Sequence, residues 1–141
     1  MTGLILLAYG QIGDELLNAA IHIMKHSVEK IEVIRVYDNS DTADELPALL
    51  QQTIEQMGTV GQCLILADLH GCTHFNIARR FVEHSRVALV SGLNLPMLLR
   101  VLNHREENLV TLSHYAEEGG VIGISTISEA LNRDTGDKTS P

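Results

Sequence analysis

The chain has no tryptophan, and only two phenylalanines and three tyrosines among 141 residues. A core without large aromatics must be packed from Leu, Ile, Val and Ala, which suits a parallel sheet covered by helices. Basic residues are also scarce, with ten Lys and Arg against 18 Asp and Glu, a formal charge of −8. Phosphate backbones and anionic membranes need cationic contacts, so this balance argues against a nucleic-acid or membrane-surface partner. No apolar run approaches the ~20 residues that span a bilayer, so direct membrane insertion is not expected. Two cysteines, Cys63 and Cys72, and no signal peptide lead to the expectation of a reducing, cytoplasmic setting.

What is present describes one soluble domain: 45% apolar and 20% charged residues, in a length that buries a core without staples. Leu4 to Ala8 reads as a central strand that feeds Tyr9, Gly10 and Gly13. A helical stripe of Leu16, Leu17, Ala20, Ile21 and Met24 then runs on to His26. Ile31 to Val36 alternates as an edge strand. After the turn cluster Asp38 to Asp41, a helix carries Leu46, Leu49, Leu50, Ile54 and Met57 inward and stops at Gly58. Pro47 is tolerable there only in the first turn. Cys63 to Ala67 is apolar throughout, hence a central third strand. Thr73 is expected to cap a helix holding Phe75, Ile77, Ala78, Phe81 and Val82.

Val87 to Val90 is a fourth strand, and Pro96 opens a short helix reaching about Asn103. Asn108 to Glu118 is a last helix, stopped by Gly119 and Gly120. Val121 to Ile127 has the β-branched content of a terminal strand. The expected architecture is one doubly wound α/β domain over residues 1–128, mainly parallel with helices on both faces, then a polar, disordered tail over 129–141.

In such a sheet ligands sit at the carboxyl edge. Loops from strands one, three and four bring Tyr9, Gly10, Asp68, His70, Gly71, Cys72, Thr73, His74, Ser91 and Asn94 there. With strand order 2-1-3-4, Tyr9 and Asp68 face each other across the switch point, and Thr73 with its helix N-terminus suits an anion such as phosphate. Plainer readings stand beside these. Asp68 is equally read as a loop cap, and Tyr9 as a ring covering the pocket floor. His70 and His74 have the spacing of metal ligands on one helix, but Gly71 interrupts them and no third ligand has an obvious spacing. His22 and His26 read as a solvated face. Cys63 is a small core hydrophobe. Cys72 sits beside a helix N-terminus, where a thiol pKa can fall, but no base or orienting partner is evident for it. Neither a metal nor another cofactor is expected.

The element order, Gly10 after the first strand, Asp68…Gly71-x-Thr73-x-Phe75-Asn76 and Ser91-Gly92-Leu93-Asn94-Leu95-Pro96-Met97-Leu98 together resemble one family. It is the mannose-type enzyme IIA of the bacterial phosphoenolpyruvate-dependent sugar phosphotransferase system, and the resemblance covers residues 2 to 127. It implies a histidine at the end of the first strand that takes a phosphoryl group from HPr and passes it to an enzyme IIB domain. It also implies an orienting aspartate at Asp68, a phosphate-side hydroxyl at Thr73, and a dimer in which a C-terminal, antiparallel strand is exchanged between subunits.

By position the acceptor histidine falls on Tyr9. The family's Gly/Ala is here Cys72, its proline is His74, and its loop aromatic is His70. An imidazole is nucleophilic near neutral pH and its phosphoramidate gives the group away readily. A phenol, with an ordinary pKa near ~10, is a poor nucleophile without a base, and its phosphoester is too stable for a relay. The resemblance therefore implies a regulatory or partner-binding homologue of the phosphocarrier, with an HPr-like carrier, an enzyme IIB-like domain or a regulatory protein as partner. One alternative is a carrier using His70 or His74 as substitute acceptor. Another is a small-ligand or metal-binding module at Asp68, His70 and His74.

Overall fold

The computed structural model describes residues 1–25, 29–38, 40–57 and 61–129. Its centre is β1 (Gly3–Tyr9), buried from Gly3 through Ala8. Parallel neighbours lie on both sides, β2 (Ile31–Val36) on one and β3 (Cys63–Ala67) on the other, and β4 (Val87–Ser91) follows β3. The order β2-β1-β3-β4 is the expected one. Alternate side chains of a strand leave opposite faces. Leu4, Leu6, Leu64 and Leu66 accordingly enter one core layer, and Ile5, Leu7, Cys63 and Ile65 the other. Each fully buried aliphatic side chain contributes roughly 1.5–3 kcal/mol, so these two strands anchor the molecule.

The first layer is closed by α1 (Ile12–Met24), α4 (Leu95–Leu102) and α5 (Leu109–Ile122). The second is closed by α2 (Ser40–Gln56) and α3 (Thr73–Arg79). At the amino end of the sheet the buried Arg105 donates from Nη2 to the Thr2 carbonyl at 2.7 Å and from Nε at 3.2 Å, closing the sheet floor.

Several local expectations are corrected. Helix α1 ends at Met24, because Lys25 turns left-handed (φ 57°) while its N–H still reaches the Ile21 carbonyl. Pro47 lies about two turns inside α2, not in its first turn, and has no N–H for the Ala43 carbonyl. The helix continues because Leu46 and Leu50 on either side are buried. Leu49 faces outward, 44% exposed. Thr73 is the first residue of α3, and Cys72 holds the cap position. Phe81 and Val82 follow α3, and Val82 is exposed. His26, Gly58 and the tail beyond residue 129 lie outside the described residues.

The largest correction is at the C-terminus. Gly119 and Gly120 do not stop a helix; they lie within α5, which continues to Ile122. A Cβ on Gly119 would stand 2.6 Å from Arg100 Cβ, one on Gly120 2.9 Å from Met97 Cε, and one on Gly123 2.5 Å from Pro96 Cβ. These glycines are the contact surface between α5 and α4. The terminal strand expected over Val121 to Ile127 is absent from the single chain. Val121 and Ile122 are helical, residues 124–128 take no regular structure, and Ile124 and Ile127 are well exposed.

Candidate functional site

The carboxyl ends of β1 and β3 are tied by a carboxylate. Leu7 pairs with Ala67, and the Asp68 N–H, one residue on, donates to the Leu7 carbonyl at 3.2 Å. The Asp68 side chain then takes over from the ladder: its Oδ2 accepts the Tyr9 N–H at 2.9 Å. Because this bond uses the main chain, it is independent of the side chain at position 9. Gly10 turns the chain away with φ +56°, a conformation that favours glycine.

The Tyr9 ring does not cover a pocket floor. It is 49% exposed and packs edge-on against Tyr37, with ring centres 6.3 Å apart. The other Asp68 oxygen faces a different residue. His74, buried in the first turn of α3, brings Nε2 to 2.6 Å from Asp68 Oδ1. Burial alone would raise the Asp68 pKa. The His74 hydrogen bond, the Tyr9 N–H and the His74 charge outweigh it, and the carboxyl is held below its ordinary range.

Cys72 completes the cluster. Its Sγ lies 3.4 Å from His74 Nδ1 and 3.3 Å from Nε2, and donates to the Leu69 carbonyl at 3.3 Å. A sulfur nearly equidistant from both ring nitrogens stands over the ring face, not along either lone pair. The set Cys72, His74 and Asp68 is therefore not aligned as a nucleophile, base and orienter, which need the two partners on opposite nitrogens in the ring plane. The buried Cys63 stands apart in the sheet, its thiol pushed up to about 12 by burial.

The other candidates are dispersed. His70 is exposed and rests against the Phe75 ring, centres 4.6 Å apart. Thr73 is exposed at the start of a seven-residue helix. Asn94 is committed to the scaffold: its Oδ1 accepts the Met97 N–H at 2.9 Å, capping α4, and its Nδ2 donates to the Gly120 carbonyl at 3.3 Å. Ser91 continues β4 opposite Ala67. His22 is on an exposed face, its Nδ1 2.8 Å from the Asn18 carbonyl. Sequence reasoning missed the pairing of Cys72 with His74. The signal was their separation by one residue across a helix start, which can turn both side chains toward one point.

The sequence model of the PTS system fructose IIA component (EIIA-man) matches residues 3–114. The chain belongs to this family. The PTS system fructose-specific EIIA component of Bacillus subtilis (strain 168) is 38% identical over 56 residues, 39% of this chain. The match spans 38% of that protein's length. Among solved structures, the mannose/sorbose specific IIA subunit from Enterococcus faecalis superposes with a TM-score of 0.79 at 26% identity, over 90% of this chain and 95% of that one. The phosphotransferase component EIIA from Streptococcus agalactiae gives 0.77 at 24% identity, over 89% and 97% of the two chains, a likeness of fold. The parallel sheet with five helices is thus the architecture of IIA components. Among the described residues no helix is long and apolar enough to cross a membrane.

Proposed function

We propose that this IIA-family chain is a partner-binding homologue that does not relay phosphoryl groups through position 9. On the family resemblance Tyr9 stands where the acceptor histidine is expected, and Asp68 where its orienting carboxylate is expected. One observation carries the proposal: Asp68 Oδ1 is bound at 2.6 Å by the buried His74. The carboxylate that would orient an acceptor at position 9 is held instead by a residue of α3. The Tyr9 phenol, half exposed, has no base at hand among the described contacts.

The rim supports a docking role. Tyr9, Ile12, Tyr37 and Leu69 belong to three loops of the same sheet edge, and each is between 47% and 61% exposed. Such exposed apolar groups at one edge suit a protein partner. The partner class implied by the family is an HPr-like phosphocarrier, an enzyme IIB-like domain or a regulator that reads them. A homodimer and a cytoplasmic setting in a bacterium belong to the same reading.

The test combines labelling and binding. Incubation with enzyme I, HPr and labelled phosphoenolpyruvate is expected to leave the chain unlabelled, while titration calorimetry detects binding to HPr or enzyme IIB. Acid-labile label at wild-type level for the family, or no binding to either protein, contradicts the proposal.

The His74–Asp68 pair favours one second reading, a displaced relay with His74 as acceptor. Against it stands the burial of His74, whose side chain is only 10% exposed. Phosphoryl transfer needs an in-line approach to a free nitrogen. Acid-labile label lost in His74→Ala would establish this reading; label lost in His70→Ala would assign the role to His70.

A further inference from the structure

Three potential ligand atoms of different chemistry meet in the crevice: a carboxylate oxygen of Asp68, the thiol of Cys72 and a ring nitrogen of His74, all within 4.8 Å of one another. We propose that Asp68, Cys72 and His74 form a binding site for a borderline divalent transition-metal ion, with zinc as the natural occupant. This goes beyond the family reading and stands or falls separately from it.

The donor set selects the ion. Calcium and magnesium take oxygen ligands, whereas a thiolate, an imidazole and a carboxylate together suit zinc. Zinc bonds of ~2.0–2.3 Å put neighbouring ligand atoms of a tetrahedral site roughly 3.3–3.7 Å apart. The Cys72 Sγ to His74 Nε2 separation, 3.3 Å, already lies at the edge of that range. The Nε2 to Asp68 Oδ1 separation, 2.6 Å, must open by about 0.7 Å for the ion to replace the proton shared between them. Sγ stands over the imidazole face, so ligation requires a rotation about the Cys72 Cα–Cβ bond that brings it toward the ring plane where Nε2 binds. That rotation exchanges the weak thiol bond to the Leu69 carbonyl for a metal–thiolate bond, and the thiol proton leaves to solvent.

The surroundings fit a metal centre. Asp68 Oδ2 is fixed by the Tyr9 N–H at 2.9 Å, the kind of outer contact that holds a ligating carboxylate in place. His74 is buried and both Asp68 and Cys72 are half-buried, so the set is partly shielded from competing water. Three protein ligands leave one coordination position, the arrangement of zinc sites that bind a water or a partner's group. His70, four residues before His74, is no part of the set, its ring being engaged with Phe75.

Cobalt(II) titration of the full chain tests the site, because thiolate ligation gives a near-ultraviolet charge-transfer band that oxygen and nitrogen ligands do not. One equivalent of cobalt is expected to produce the band and one equivalent of zinc to remove it. Cys72→Ser should abolish the band, His74→Ala should weaken zinc binding at least tenfold, and His70→Ala should change neither. Alkylating Cys72 in the folded wild-type chain must also abolish the band, which separates ligation from any folding defect of the variants. Absence of a thiolate band in the wild type, or its survival in Cys72→Ser or after alkylation, overturns the proposal.

Discussion

Two neighbouring regions, the α4–α5 seam and the crevice between β1 and β3, carry different kinds of information. The segment Gly92 to Leu98 carried part of the family resemblance, and its work is structural. Asn94 caps α4 and reaches the Gly120 carbonyl, Met97 lies against Gly120, and Pro96 against Gly123. In the crevice the family resemblance implies an acceptor histidine at the position of Tyr9. Asp68 remains, but its imidazole partner comes from α3 and not from the end of β1. The seam is a close packing contact, whereas the crevice gathers the titratable groups.

That contrast predicts large stability effects with unchanged crevice behaviour in one region, and the reverse in the other. The largest effect is expected at the seam. Gly119→Val places a branched side chain where a single Cβ already stands 2.6 Å from Arg100 Cβ. Overpacking of this kind costs about 1–3 kcal/mol or more, against a helix-propensity gain below ~1 kcal/mol. Urea denaturation should show a net loss of about 2 kcal/mol. A neutral outcome would mean that α4 and α5 are not held this closely.

Asn94→Ala removes the α4 cap and the link to Gly120, and should cost about 1–2 kcal/mol by the same measurement. In the crevice the expected signature is a pH dependence. The Asp68 pKa is lowered in the folded chain, so its stabilising contribution is complete above the unfolded carboxylate value near ~3.9 and is lost as pH falls through the folded value. Asp68→Asn should flatten the acid limb of the stability–pH curve below about pH 4. An unaltered limb would detach Asp68 from His74. The smallest stability effect is expected for Tyr9→His, within about 0.5 kcal/mol of wild type, because the ring is half exposed and the Asp68 contact uses its N–H.

The strands and their order were legible because an apolar run such as Leu4 to Ala8 or Cys63 to Ala67, followed by a loop with glycine or aspartate, has few other readings. Asp68 was legible as the central crevice group for the same reason. Gly119 and Gly120 were misread because the same residue type serves helix stops and close helix contacts, and only the position of Arg100 and Met97 decides between them. The β-branched character of Val121 to Ile127 then suggested a strand that the single chain does not form. Pairing of His74 with Asp68 depends on how the loop over residues 68–72 folds back, which spacing does not fix. The same fold sends Cys72 toward His74 and His70 toward Phe75, dividing two histidines that look equivalent in sequence.

The central claim is that Asp68 is withheld from position 9 by His74. It is tested most directly by comparing acid-labile phosphoryl labelling of Tyr9→His with that of Tyr9→His combined with His74→Pro, using enzyme I, HPr and labelled phosphoenolpyruvate. The double variant is expected to label readily, because the released carboxylate can orient the new histidine, while the single variant labels at least tenfold more slowly. Equal labelling of the two variants would contradict the account.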